Sequence, residues 1–289
     1  MPPDHSFQHI VITRYFVRFS ESPADVQAVI KGNQSWLESR FEIFKAFCLP
    51  SVVGQSVTNF TWLLYFDVHT PQAYLDRVQG LIQDYPNIKI VLCEHFNDES
   101  RARAVHAELK TDTRWLLTTR LDNDDGWHRD FVKALQSELR FEKREFLNFP
   151  VGILYYSDKT LLYRHSSNAF ISLLEPAEGF LTVWCGQHTE LDRVAPIRQL
   201  PAFPAFMQVV HPGTRSNKPR GMRVHRLLAL AGFEAMRGVW ASPGEDRESD
   251  RAIALYNVTL FPLRSLRDSA LTLVRRLLDK VKPRGAPTR

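Results

Sequence analysis

At 289 residues and 44% hydrophobic composition, the chain can bury a sizeable core as one large domain or two small ones, and no apolar run reaches the roughly 18 residues of a membrane-spanning helix. The net charge of +5 belongs to the end of the chain, where residues 264–289 hold eight Lys or Arg against Asp268 and Asp279. The first 263 residues therefore carry −1, a poor surface for nucleic acid, whose affinity rests on neutralising phosphates.

Three cysteines, Cys48, Cys93 and Cys185, are far apart and lack any Cys-x-x-Cys spacing, which points to a reducing compartment and away from structural zinc. The first residues have neither the charged region nor the apolar region of a secretory signal.

In chain order, residues 10–19 form a β-branched and aromatic run expected as a strand, and residues 35–48 have helical spacing. Residues 60–66 read as a second strand stopped by Asp67, then 71–84 as a helix with Pro71 in its first turn, where a missing N–H costs nothing. A third strand at 88–93, a helix at 100–110 capped from 97–100 and a fourth strand at 114–121 follow. Strand, helix, strand at these lengths implies parallel βαβ units with right-handed crossovers, whose ligands lie at the carboxyl ends of the strands. Asp67, Glu94 and the acids at 122–125 all fall at such ends.

Further on, residues 146–156 and 160–173 read as strands, the second bearing Tyr163 and Phe170, which suits a mixed sheet and an acceptor surface. Residues 213–221 form a basic loop, 227–236 look helical and 244–249 are a polar loop. In the tail, Leu263, Leu266, Ala270, Leu273, Val274, Leu277 and Val281 recur at three and four residue steps. That is an amphipathic helix, either packed on the core or laid on an anionic membrane surface.

The most informative stretch is Leu116 to Asp125, an apolar strand running into Asp122, Asp124 and Asp125. Packed carboxylates repel one another, and a hard divalent cation with oxygen ligands relieves that repulsion. The plain alternative is a solvated turn that caps the next helix. An EF-hand is excluded by register, because with Gly126 at its sixth position the loop would begin at Leu121 and end at Val132. Neither a Gly-x-Gly-x-x-Gly nor a Walker loop follows the first strand, so a bound phosphate would be held by metal and basic side chains.

The run Thr118-Thr119-Arg120-Leu121-Asp122-Asn123-Asp124-Asp125, with Trp127-His128-Arg129-Asp130-Phe131 behind it, resembles the signature of the bacterial putative rhamnosyltransferase family, GT-A-like glycosyltransferases with an Asp-x-Asp motif. Ile12-Thr13-Arg14-Tyr15, Tyr65-Phe66-Asp67 with Thr70-Pro71, and Gln208-Val209-Val210-His211 with Ser216-Asn217 and Arg220-Gly221 extend the resemblance over residues 8–222. Phe206 and Thr214 depart from it, standing where tryptophan and asparagine are expected.

The resemblance implies an α/β fold, a Rossmann-like mixed sheet flanked by helices, with a C-terminal amphipathic helix. Residues 1–262 would be the catalytic domain, with a nucleotide-sugar half at 1–125 and an acceptor half at 126–262, and 263–289 the basic helix and tail. It further implies Mn²⁺ or Mg²⁺ and transfer of a sugar, rhamnose by the family's name, from a nucleotide-diphosphate donor to a glycan or lipid-linked acceptor. The setting would be cytoplasmic, with peripheral contact at the inner membrane face through 263–282.

Residue by residue, Asp124 would be the main metal ligand, His211 a further ligand, and Asp122 would reach the metal or the donor ribose. Asp67 would face the nucleobase. Arg14, Arg101 and Arg120 would supply cations, and Asn217 and Arg220 lie in the basic loop at 213–221, which would either fold over a bound diphosphate or be an ordinary connection. An inverting mechanism needs a base, for which Asp192, Glu190 and His188 are the foremost candidates beside Glu175 and Glu178. The rival reading is a nucleotide-sugar or carbohydrate-binding protein without catalysis. A nucleotidylyltransferase would need a glycine-rich loop after the first strand, which is missing.

Overall fold

The structure is a computed structural model, described here over residues 6–17, 34–156, 159–187, 190–211, 221–225, 229, 231–236 and 250–263. The first half follows from its apolar runs. Strands β1 (Phe7–Phe16), β2 (Thr61–Asp67), β3 (Ile88–Cys93) and β4 (Trp115–Arg120) are mutually parallel.

Side chains alternate across this sheet. Val11, Trp62, Leu64, Phe66 and Leu117 pack on one face with Phe44, Tyr74 and Val78, while Ile10, Ile12, Leu63, Tyr65 and Leu116 pack on the other with Val105 and Trp184. The covering helices are α1 (Gln34–Ile43), which runs through a π-helical stretch at Phe44–Cys48 into α2 (Leu49–Val53), then α3 (Gln72–Ile82) and α4 (Asp98–Glu108). Helix α4 opens on a capping box, in which the Ser100 N–H donates to Asn97 Oδ1 at 2.9 Å and the Asn97 N–H to Ser100 Oγ at 3.2 Å.

Downstream come β5 (Gly126–Trp127), α5 (Phe131–Ser137), β6 (Glu145–Asn148), β7 (Val151–Tyr156), β8 (Lys159–Arg164), β9 (Ser172–Pro176), β10 (Ile197–Gln199), β11 (Phe206–Val210), β12 (Met222–Val224) and α6 (Asp250–Val258). They complete a seven-stranded sheet in the order β10-β6-β9-β4-β1-β2-β3 and a five-stranded sheet in the order β12-β8-β7-β11-β5. Strand β9 is antiparallel to both β4 and β6, so the larger sheet is mixed and flanked by helices, as expected. The chain moves from β1 outward to β3 and returns on the other side of β1 as β4. That reversal makes the crevice beyond β1 and β4 the topological switch point, where α/β sheets bind ligands.

Two expected strands are each divided. The run at 146–156 becomes β6 and β7, and the run at 160–173 contributes β8 and the start of β9, with the parts in different sheets. Pro150 has no N–H for a ladder. Asn168 ties both breaks together, donating from Nδ2 to Phe149 O at 2.7 Å, from its backbone N–H to Asn148 Oδ1 at 3.2 Å, and accepting the Phe170 N–H at 2.9 Å.

Of the helix expected at 227–236, Ala229 is helical and its N–H donates to His225 O at 3.1 Å, while Glu234–Met236 form a 3₁₀ turn preceded by Gly232 at φ +84°. A Cβ on Gly232 would lie 1.7 Å from His128 Nε2, so position 232 requires glycine for space as well as for conformation. Phe206 is core, stacked on Phe170 at 4.1 Å and lying over Gly152, where a Cβ would meet its ring at 2.2 Å. The loop at 213–220, the polar loop at 244–249 and the amphipathic tail beyond Leu263 lie outside the described residues.

Candidate active site at the switch point

The parallel register sets Ile12 beside Arg120, so Arg14 and the residues after β4 share one rim. Arg14 Nη2 lies 3.4 Å from Asp122 Oδ1 and Arg120 Nη2 3.8 Å from Oδ2. Both guanidiniums sit over the Trp184 ring, at 4.1 and 3.7 Å from its centroid. Arg120 is buried, which pulls its guanidinium down to about 10, and its Nε has no partner among the described residues. Trp184 in turn donates from Nε1 to Ile12 O at 3.4 Å and meets Phe96 edge-on at 5.3 Å.

The loop that carries Trp184 is anchored by Glu175. Its buried carboxylate accepts the N–H groups of Leu181 and Thr182, each at 2.9 Å, and Arg144 Nε at 3.0 Å. Burial raises the Glu175 carboxyl above its usual range, against these donors. Thr182 is held at φ +67°, a left-handed conformation that a β-branched residue adopts only under constraint, and the Val183 N–H then reaches Thr118 Oγ1 at 2.8 Å. Arg101 braces the same loop. Its buried guanidinium pairs with Asp98, donates to Phe96 O at 3.3 Å and lies 3.4 Å from Trp184 O. Burial lowers Arg101 as well.

Asp124 gathers a second group. Its Oδ2 pairs with Arg40 Nη1 from α1 and lies 3.0 Å from His211 Nε2, just past β11. Burial pushes this carboxyl up, but the His211 hydrogen bond and Arg40 outweigh it and hold the carboxyl below its usual range. Asp125 faces inward and accepts the Val209 N–H at 2.9 Å, tying the acidic turn to β11. Burial, then the charges of Asp124 and Asp122, push its carboxyl well up. Asn123 donates to Tyr15 O at 3.1 Å, and Cys48 Sγ lies 3.6 Å from Asp122 O. Burial and then the three aspartates raise the Cys48 thiol, so it stays protonated.

The expected metal trio is thus divided between two clusters: Asp124 meets His211, and Asp122 meets Arg14 and Arg120. Among the described residues no three His, Cys, Asp or Glu side chains converge on one point. Asp124 Oδ2 and His211 Nε2 nevertheless fit a divalent ion. The 3.0 Å between them is a hydrogen bond, and it places a carboxylate oxygen and an imidazole nitrogen side by side. Carboxylate oxygen with imidazole nitrogen suits Mn²⁺, whose remaining ligands would be substrate phosphate and water.

Asp67 is buried at the end of β2, where its Oδ1 accepts the His69 N–H at 2.8 Å and lies 3.0 Å from His69 Nδ1. Glu190 and Asp192 are exposed on or beside a 3₁₀ turn, with Glu190 3.1 Å from Arg193. His188, Asn217 and Arg220 lie outside the described residues. Sequence reasoning missed Arg40 and Trp184. Arg40 sits on a helix between Glu38 and Glu42 and reads as solvated, and nothing local marks Trp184 apart from the strained threonine two residues before it.

These features define an α/β domain with a cluster of acids and arginines at its switch point. The chain belongs to the family described as "Putative rhamnosyl transferase", which matches residues 14–223. Among solved structures it is similar to residues 1–349 of S. aureus TarS, at 11% identity, 71% coverage of this chain, 60% of that one and a TM-score of 0.35. The corresponding TarS structure in complex with UDP gives 12%, 72%, 61% and 0.35. The 4-diphosphocytidyl-2C-methyl-D-erythritolsynthase from Anaerococcus prevotii gives 11%, 68%, 88% and 0.34. The chain therefore spans about 60% of the TarS piece it matches. Comparison with curated proteins gave no match.

Proposed function

We propose that the protein is a metal-assisted glycosyltransferase that moves a sugar from a nucleotide-diphosphate donor to a glycan or lipid-linked acceptor. The observation that carries the reading is the convergence of Asp124 and His211 beside two arginines fixed on Trp184, at the switch point of a chain in a rhamnosyl transferase family. Rhamnose as the sugar is taken from the family's description.

Breaking the anomeric C–O bond leaves negative charge on the departing diphosphate and positive charge on the sugar. Arg14 and Arg120 are held in place before any ligand arrives, so they stabilise the developing diphosphate charge without reorganising. Asp124 and His211 would hold a divalent cation, Mn²⁺ or Mg²⁺, which when bound would supply Lewis-acid neutralisation of the leaving group. Asp122, steadied by the two arginines, faces the ribose or the cation's water. Asp67 would stand at the nucleobase end, Asn217 and Arg220 would serve the diphosphate, and Asp192, Glu190 or His188 would take the proton of the acceptor hydroxyl.

Cysteine usage supports a cytoplasmic setting, and residues 263–282 would meet the inner membrane face. Among the described residues no helix is long and apolar enough to cross a membrane.

The test is a thermal-shift titration with UDP, GDP and dTDP, each with and without Mn²⁺, on the wild type and on Asp124→Ala. A Mn²⁺-dependent rise for one nucleotide, lost in the variant, is expected. No shift with any nucleotide would remove the reading. Binding without sugar transfer would favour the non-catalytic alternative.

A further inference from the structure

We propose that Arg40 is an exchangeable counter-ion, neutralising Asp124 while the site is empty and moving to the donor's diphosphate when donor and cation bind. The inference rests on the functional reading above and deepens it.

A single oxygen carries the argument. Asp124 Oδ2 meets both Arg40 Nη1 and His211 Nε2, and a cation held between Asp124 and His211 competes for that same oxygen. One of the two present partners is itself a ligand for the cation, so Arg40 is the group that must yield.

Its mounting differs from that of its neighbours. Arg14 and Arg120 start from strands in the sheet and are stacked on Trp184. Arg40 projects from α1, outside the sheet, and its other contacts are long: 3.5 Å to Asn123 Oδ1 and 5.0 Å to the Trp36 ring. The Arg40 side chain, 13% exposed and held at its tip chiefly by one carboxylate, reaches a phosphate nearby by rotamer changes. The planar guanidinium matches phosphate oxygens as well as it matches a carboxylate.

Charge balance gives the same order of events. Asp122 is paired with Arg14 and Arg120, and Asp124 with Arg40, so both rim carboxylates already face permanent cations. A dication entering alone adds two positive charges to a pocket whose acids already have partners. A dication entering with a nucleoside diphosphate brings its own counter-charge and gives the displaced Arg40 a new partner. Cation and nucleotide binding are therefore coupled, each tightening the other by the same factor, and Arg40 sets much of that factor.

The experiment is calorimetric titration of the full chain with Mn²⁺ alone, and with UDP, GDP or dTDP in excess Mn²⁺, for wild type, Arg40→Gln and Arg40→Lys. Circular dichroism of each variant confirms that it is folded. Arg40→Gln is expected to bind Mn²⁺ alone about tenfold more tightly than wild type and nucleotide about tenfold more weakly, the scale of one lost ion pair. Arg40→Lys keeps the charge and stays within about threefold of wild type for Mn²⁺. Unchanged or weaker Mn²⁺ binding by Arg40→Gln, or unchanged nucleotide binding, overturns the inference. If wild type binds nucleotide with Mn²⁺, that failure leaves the functional reading standing. If wild type binds no nucleotide at all, both fall.

Discussion

The ends of β2 and β4 lie in one sheet and both carry buried acids, yet they satisfy them differently. Asp67 takes its near partners from its own turn, the backbone N–H and ring of His69 two residues on. The acids after β4 have Arg120 two residues before Asp122, and the rest of their partners come from distant segments: Arg14 from β1, Arg40 from α1, the Val209 N–H from β11 and His211 beyond it. Three acids gathered into one pocket incur a desolvation and repulsion cost that a hydrophobic cluster of the same volume would avoid. That difference separates an acid braced within its own turn from acids braced across the fold.

The largest test of the contrast is Asp124→Ala against Asp67→Ala. Sugar transfer is expected to fall by on the order of 10³-fold or more for Asp124 and by less than about tenfold for Asp67, measured as kcat/KM. Equal losses would erase the distinction. His211→Ala should lower kcat/KM by about a hundredfold and weaken Mn²⁺ binding in parallel. An activity loss with unchanged Mn²⁺ affinity would assign His211 to something other than the cation.

Acid sensitivity offers a sharper version of the comparison. His9, on β1, is fully buried between Thr119 Oγ1 at 2.7 Å and Gln136 Nε2 at 3.2 Å, and burial lowers its imidazole to about 3. The unfolded chain takes up a proton below about 6.5 that the folded chain refuses. His9 thus contributes stability above that pH and loses it as pH falls toward 3, at roughly 1.4 kcal/mol per unit, or about 2 kcal/mol by pH 5. Asp124, held below its usual range, keeps its contribution until pH falls below the ordinary carboxylate value. Urea midpoints between pH 7.5 and 5 should therefore decline less steeply in His9→Gln than in wild type, and no less steeply in Asp124→Asn. The reverse pattern would place the acid sensitivity at the rim.

The smallest expected effect is at Trp184. Trp184→Leu removes the ring under both guanidiniums, and with cation–π contacts of about 0.5–2 kcal/mol each, donor KM should rise about tenfold with a smaller change in kcat. Trp184→Phe should restore part of the loss. A pure kcat defect would mean the arginines do not depend on the ring for position.

The parallel half was legible because its signals are local. Apolar runs end at Asp67 or at Cys93, Asn97 caps its own helix, and the acids of 122–125 adjoin in sequence. What was hidden depends on distance along the chain. Arg40 reaches Asp124 across 84 residues and Trp184 reaches Ile12 across 172, and neither carries a mark in its own neighbourhood. The division of the runs at 146–156 and 160–173 was hidden for a related reason. Apolar residues continue through both breaks, and the cause, the grip of Asn168 on Asn148 and Phe149, spans about 20 residues. Glu175 looked like a candidate base by type alone, and only its three donors show that it anchors a loop.

The position of β9 has a consequence for the order in which this chain acquires structure. It lies between β4 and β6, so until Ser172–Pro176 has been synthesised, β4 is an unprotected edge bearing the acidic turn. Within about ten residues of that strand the chain supplies Glu175, Thr182 and Trp184, the anchor, the constrained link and the aromatic platform. Closing the sheet and assembling the arginine platform are thus one late step during synthesis. A chain stalled before residue 176 would expose β4 to aggregation and lack the site in the same stroke.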